Sequence, residues 1–288
     1  MKLGLGTAQF GSQYGINNKS KPIDASDSKA ILEYLNTKKI DTIDTAASYP
    51  DSERILGVND LSKFKIITKI PSTLQTSVGI ERTIRNYIEL SLHNMNLSSI
   101  YGVLLHFPEE ILHSNGKDIL STLHRLKSDG IIKKIGISIY SPKIIGQILD
   151  RFTFDLIQAP LNVFDNRLIK TGWAKKLKEL NIEIHVRSCF LQGLLLMKIE
   201  DIPPGFKKWT PLFKFWSNWL DSNCLNAYDV CIHHLLMFKE IDKIIVGIDN
   251  ISQLKQLVSS YENNLDISIP DFSSEDEELI NPAKWSFK

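Results

Sequence analysis

No stretch of this chain approaches the roughly 18 consecutive apolar residues of a membrane span, so no membrane-crossing helix is expected. Charge of one sign is lacking too. With 34 basic and 33 acidic residues the formal net charge is +1, which favours neither nucleic acid nor an anionic membrane surface as a partner. Cysteine is scarce: Cys189, Cys224 and Cys231 are odd in number and lack metal-ligand spacing. Reduced thiols, a cytoplasmic setting and no metal site follow as expectations. The opening MKLGLGTAQFG is too short and too rich in glycine for a secretory leader, and its first residues read as a strand. Nor does any Gly-x-Gly-x-x-Gly open a helix; Gly4 and Gly6 lie too far from a following helix for a Rossmann turn.

What is present is an ordinary globular composition, 43% hydrophobic and 23% charged over 288 residues, enough for a full core in one domain. Hydrophobic periodicity alternates between strand and helix along the whole length. Strands are expected at 3–8, 39–44, 64–70, 100–106, 134–138, 154–159, 182–187 and 243–246. Helices are expected at 27–38 (capped by Asp27 or Ser28), from Ser52 to a stop at Gly57, and at 77–95, 117–129, 142–150, 166–180 and 252–261. A further helical region, 213–240, divides near Ser222-Asn223. A Gly-rich loop covers 9–18, the longest irregular stretch 188–209, and the acidic segment 273–279 either frays or docks. Eight strand–helix units with right-handed crossovers close into a barrel, whereas five or six would leave an open sheet. A single-domain α/β fold, a (β/α)8 TIM barrel over 1–288 with a C-terminal tail at 270–288, is therefore expected.

The chain is organised around Asp44-Thr45-Ala46-Ala47-Ser48-Tyr49-Pro50-Asp51-Ser52-Glu53-Arg54-Ile55-Leu56-Gly57. Asp44 ends a strand and Tyr49 lies in the loop after it, on the barrel edge where ligands and chemistry collect. Lys69 closes the next strand, Ile66-Ile67-Thr68-Lys69, and His106 the one after, Val103-Leu104-Leu105-His106. Taken singly each has a plain structural explanation: a packing tyrosine, a solvated lysine, a core histidine, an aspartate capping a turn. Four such residues in order at three neighbouring strand ends are a different matter.

The run resembles the active-site signature of the aldo-keto reductases, D-T-A-x-x-Y-G-x-S-E-x-x-L-G, with Pro50 in place of the usual glycine. The resemblance covers residues 3–261 and implies reduction of an aldehyde or ketone by a nicotinamide cofactor. Hydride addition leaves an alkoxide that needs a proton. The resemblance makes Tyr49 the general acid. Lys69 is then the ammonium that favours the phenolate, Asp44 the partner offsetting that buried cation, and His106 the group orienting the carbonyl.

The resemblance also distributes the cofactor. Thr7 and Ala8 at the first strand end are expected at the cofactor. Ser138 and Gln158 are expected on the nicotinamide amide, with Ile139 where asparagine is usual and Asn162 completing Gln-x-x-x-Asn. Arg187 takes the place of an aromatic that stacks on the nicotinamide, or reaches a phosphate or an acidic substrate; the plain alternative pairs it with a surface carboxylate. Ser188 and Gly193 belong to the loop over the pyrophosphate, and Gly247, Asn250 and Gln253 to the adenosine end. Gln253 stands where many relatives carry an arginine for the 2′-phosphate, with Asp249 beside it and Lys255 able to compensate by turning back. NADPH is the expected cofactor, with NADH also admissible.

The opening Gly-Leu-Gly-Thr-Ala-Gln-Phe-Gly and the Arg-Ser-x-Phe-Leu-Gln-Gly loop resemble bacterial members associated with surface-polysaccharide sugars. A keto-sugar or nucleotide-linked sugar is the expected substrate, with residues 9–14 and 188–209 building its pocket and Trp209 as a candidate wall. His233, His234 and Cys231 look like a metal cluster, but adjacent histidines on a helix point apart. A monomer or weak homodimer is expected. Two other functions stay open on the sequence: a cofactor-binding regulatory subunit with little turnover, and a TIM-barrel isomerase or Schiff-base aldolase.

Overall fold

The computed structural model describes residues 1–16, 20–73, 79–263 and 265–285. Eight parallel strands close a barrel in chain order: β1 (Leu3–Gly6), β2 (Thr42–Asp44), β3 (Lys65–Ile70), β4 (Ile100–Leu105), β5 (Ile132–Ser138), β6 (Leu156–Pro160), β7 (Glu183–Arg187) and β8 (Lys243–Gly247). Closure comes from β1 against β8, with Leu3 opposite Ile244 and Gly6 opposite Gly247. The strands are rich in Ile, Val and Leu because both of their faces are covered, as in other all-parallel sheets. Eleven helices are described: α1 (Ala25–Thr37), α2 (Ser52–Gly57), α3 (Ile80–Met95), α4 (Gly116–Ser128), α5 (Ile145–Leu149), α6 (Arg167–Lys170), α7 (Trp173–Glu179), α8 (Thr210–Ser222), α9 (Ala227–Leu236), α10 (Ile251–Glu262) and α11 (Glu277–Ile280). Among the described residues none of them is long and apolar enough to cross a membrane.

Several local expectations are corrected. α1 starts earlier than its apolar spacing suggests, because Asp24 accepts hydrogen bonds from the free N–H groups of Ser26 and Asp27 at 3.0 Å each. Gly57 is the last helical residue of α2 and not a left-handed stop. It is glycine because a Cβ there would lie 1.9 Å from the Asn94 carbonyl oxygen of α3. The helix expected at 166–180 is two, α6 and α7, broken where Gly172 turns left-handed (φ 76°). Pro142 opens a 3-10 turn, Pro142–Ile144, before α5. Ser77 and Val78, expected to begin α3, lie outside the described residues, as do Asn17 and Asn18 of the Gly-rich loop.

The acidic segment docks. Phe272, Leu279, Ile280 and Trp285 are buried, and the Trp285 ring meets Phe206 edge-on at 4.9 Å. Residues 286–288 of the expected tail lie outside the described residues.

Inside the barrel Ile67, Leu104 and Leu156 form their own apolar layer. It is packed closely: a Cβ on Gly136 would sit 2.4 Å from the Leu156 carbonyl oxygen. Below that layer, at the N-terminal ends of the strands, lies a charged floor. Glu183 accepts from the Tyr101 hydroxyl at 2.9 Å, bonds His185 Nε2 at 2.7 Å and pairs with Lys134. Asp41 pairs with Lys243 at 2.5 Å and Lys65 at 3.0 Å. These groups shut one mouth of the barrel. The other mouth, at the C-terminal strand ends, opens into a cavity of about 470 Å3.

Candidate active site

At the end of β2 the chain leaves the barrel under tight control. The Thr45 N–H donates to Ile67 O at 2.8 Å, that of Ala47 to Lys69 O at 3.0 Å, and that of Tyr49 to Ala46 O at 2.9 Å. Ser52 and Glu53 then anchor the loop from below. The Ser52 hydroxyl donates to Thr7 Oγ1 at 2.7 Å, and buried Glu53 accepts from Thr68 Oγ1 at 2.7 Å and Ser91 Oγ at 2.9 Å. The Ser-Glu pair that follows the tyrosine thus fastens the loop to the barrel, leaving the Tyr49 ring in the cavity wall.

Lys69, next to last in β3, is 1% exposed and Asp44 4%. Neither charge is solvated, so each depends on its partners. The Lys69 ammonium donates to Asp44 Oδ1 at 2.5 Å and to Thr45 O at 2.9 Å. Burial works against its charge, yet the Asp44 carboxylate and Tyr49 hold its pKa above the ordinary lysine value. The other carboxylate oxygen, Asp44 Oδ2, accepts from Gln158 Nε2 at 2.7 Å, and Gln158 Oε1 accepts from Ser138 Oγ at 3.3 Å. A chain of polar contacts thus crosses the barrel from β5 through β6 and β2 to β3. The ammonium lies 5.3 Å from the centre of the Tyr49 ring.

His106 follows β4 and donates its backbone N–H to Ile70 O at 3.1 Å. Its ring meets Tyr49 edge-on, centroids 6.5 Å apart. Burial first, then the nearby Lys69 and Arg187 cations, press its pKa down to about 4. The ring is therefore neutral near pH 7, with a donor on one nitrogen and an acceptor on the other.

All four expected catalytic residues line one cavity, together with Thr7, Ala8, Ser138, Gln158, Arg187, Ser188, Gly193, Gly247 and Gln253. Their side chains are not all free. The Thr7 hydroxyl is spent on Asp44 O and Ser52, and the Gln158 amide on Asp44. Asn250 does not line the cavity: its carboxamide caps α10 by accepting the Gln253 N–H at 3.0 Å. Asn162 is buried scaffolding, donating to Ser188 O at 3.0 Å. Gln253 bonds both the N–H and the carboxylate of Asp249, at 2.7 and 3.0 Å. Lys255 turns away from the cavity, its ammonium 5.9 Å over the Tyr34 ring. Among the described residues no carboxylate pairs with Arg187.

The loop after β7 is bent sharply, with Ser188, Leu191, Gln192 and Gly193 all in the left-handed region. Non-glycine residues hold that conformation at a cost and cluster at working sites. The bend brings Gln192 Nε2 to the Tyr14 hydroxyl at 3.1 Å across the mouth. Trp209 is not in the wall; it packs on Phe206 and donates to Asp276 Oδ2 at 3.0 Å. Tyr140, Tyr228 and Gln256 line the cavity and carried no motif. Tyr140 lies two residues beyond Ser138, the last residue of β5, so its place near the mouth was legible; Tyr228 sits on α9, whose sequence offers no such pointer. His234 bonds Asn166 Oδ1 at 2.8 Å and packs on Phe238. All three cysteines are free thiols.

A closed eight-stranded barrel with a buried lysine–aspartate pair beneath a tyrosine and a histidine at its C-terminal mouth has the construction of a barrel enzyme. The chain belongs to the aldo/keto reductase family, whose model matches residues 2–271. It is accordingly an NAD(P)H-dependent oxidoreductase, and the chemistry of its family is carbonyl reduction. Among solved structures it is similar to the aldo-keto reductase AKR11C1 from Bacillus halodurans in its holo form, at 19% identity. That match covers 91% of this chain and 87% of that one, with a TM-score of 0.73. It is also similar to the thermostable aldo-keto reductase Tm1743 in complex with the inhibitor epalrestat, at 16% identity over 92% and 91% of the chains, with a TM-score of 0.67. At such identities the likeness is one of fold. No curated protein sequence matches significantly.

Proposed function

We propose that the protein reduces the carbonyl of an aldehyde or ketone with Tyr49 as proton donor. The observation that carries this reading is the fully buried Lys69 ammonium, paired to Asp44 and 5.3 Å from the Tyr49 ring in the wall of one cavity. The cavity suits a nicotinamide cofactor. Gln9 Oε1 is buried in its wall with no hydrogen-bond partner among the described residues, an acceptor awaiting a donor. Gly247 leaves room for that carboxamide, since a Cβ there would lie 2.8 Å from Gln9 Nε2 and Oε1.

When bound, a reduced nicotinamide supplies the hydride to the carbonyl carbon. The chain does the rest. Tyr49 gives its phenolic proton to the oxygen as charge develops there. Lys69 stabilises the phenolate left behind, and Asp44 keeps that cation charged and aimed, itself held by Gln158. Neutral His106 donates a hydrogen bond to the carbonyl oxygen and sets its approach.

Either cofactor is accepted in this reading. Among the described residues no cation lines the cavity near Gln253, and Asp249 presents a carboxylate there, which opposes a 2′-phosphate and suits a ribose hydroxyl. NADH is therefore bound at least as readily as NADPH. The hydroxyl and amide groups of Tyr14, Tyr140 and Gln192 in the wall suit a polyhydroxylated substrate, in keeping with a keto-sugar or nucleotide-linked sugar of surface-polysaccharide synthesis. A cytoplasmic location agrees with the free thiols.

The test is titration of wild type and Tyr49→Phe with NADPH and NADH, following nicotinamide fluorescence, and then assay on a panel of carbonyls. Both proteins are expected to bind with similar Kd, while Tyr49→Phe loses roughly 10²–10⁴ in kcat. Absence of cofactor binding at millimolar concentration would sink the proposal.

A further inference from the structure

We infer that the substrate bears an oxyanion, a phosphate or a carboxylate, which Arg187 holds while the carbonyl faces Tyr49. The inference rests on the reductase reading above and narrows the substrate class. Arg187 is the last residue of β7 and shares the cavity wall with Tyr49 and His106. Its guanidinium stacks on the Tyr140 ring at 4.5 Å, donates through Nη2 to Ile139 O at 3.0 Å and through Nη1 to Ser188 Oγ at 3.3 Å. Three neutral groups thus fix the plane of the fork. They use two of its five N–H donors, and among the described residues no carboxylate pairs with it.

The charge balance of the cavity points the same way. Among the described residues its walls carry two cations, Lys69 and Arg187, and two carboxylates, Asp44 and Asp249. Asp44 is spent on Lys69, and Asp249 is bonded to Gln253 at the start of α10. Among the described residues the Arg187 charge has no carboxylate partner, and it is felt at the reacting end, where it helps hold His106 neutral. A half-buried, pre-oriented guanidinium with free donors is matched by the planar or trigonal oxygens of a carboxylate or phosphate, which it grips through two parallel bonds. Because the fork is already locked by Tyr140 and Ser188, little ordering cost is left to meet on binding.

Two measurements test this. The first is the ratio of kcat/KM within matched pairs: 4-carboxybenzaldehyde against its methyl ester, and glyceraldehyde 3-phosphate against glyceraldehyde. Charge-assisted hydrogen bonds predict a preference of roughly 10- to 100-fold for the charged member of at least one pair. The pair that shows it separates a carboxylate from a phosphate. Arg187→Met is expected to bring the ratio close to one, and Arg187→Lys to restore part of it. The second is calorimetric binding of benzoate and phenyl phosphate against benzamide, with and without reduced cofactor, which needs no turnover. Wild type should bind one anion at least tenfold more tightly than benzamide, and Arg187→Met should not. Equal or absent anion binding overturns the inference, as does an anion preference that survives in Arg187→Met while cofactor affinity falls. Anion binding without turnover of any carbonyl would count against the reductase reading alone.

Discussion

Lys69 and Asp44 are each other's main reason for being charged inside the barrel. Removing one leaves the other buried and short of a partner, a change that typically costs about 3–5 kcal/mol. Lys69→Met is expected to lose stability of that order in urea unfolding, and the double variant with Asp44→Asn to lose less than the sum of the two single changes. His106 makes a pH prediction. Its folded pKa of about 4 lies below the ordinary value of about 6.5, so the unfolded chain takes up the proton first. Its contribution to stability is intact above about pH 6.5 and is lost progressively as the pH falls toward about 4. His106→Asn should flatten the denaturation midpoint against pH in that window, and a steeper slope in the variant would contradict the assignment. These residues were legible because each lies at or just beyond the C-terminal end of a strand and because the motif around Tyr49 is contiguous. The bond from Gln158 to Asp44 was not, since it joins positions 114 apart in sequence, and only closure of the barrel makes them neighbours.

At the scale of elements, the start of α10 shows how neighbouring residues of one motif divide their duties. Asn250 spends its side chain on capping the helix, whereas Gln253, three residues on, faces the cavity. Replacing Gln253 by arginine breaks the lock on Asp249 and adds a cation there. The NADPH-to-NADH ratio of kcat/KM should rise by roughly 10- to 100-fold, the worth of a charge-assisted bond to the 2′-phosphate. An unchanged ratio would move the adenosine end elsewhere. The helix breaks were less legible than the helices. Gly57 and Gly172 are both glycines at helix ends, yet one answers to a neighbouring backbone and the other to a left-handed turn. Sequence alone does not distinguish the two causes. The path of the loop after β7 was equally hidden, because its left-handed residues include Ser188, Leu191 and Gln192, which carry no glycine signal.

At the scale of the molecule, the count of eight alternating units carried the architecture, since periodicity and strand length are written locally while closure follows from number. The charged floor was not read from the sequence. Its members, Asp41, Lys65, Tyr101, Lys134, Glu183 and Lys243, are scattered along the chain and look like ordinary surface residues until the barrel gathers them. That sealed floor also makes the enzyme an asymmetric object to handle. All traffic passes through the opposite mouth, so the floor side can be attached to a bead or an electrode without standing in its way. Lys239, exposed just before β8, is a convenient anchor. A Lys239→Cys protein in a Cys224→Ser background, coupled by its thiol to a support, should keep the KM it has in solution, whereas coupling through the rim at Gln192→Cys should raise it.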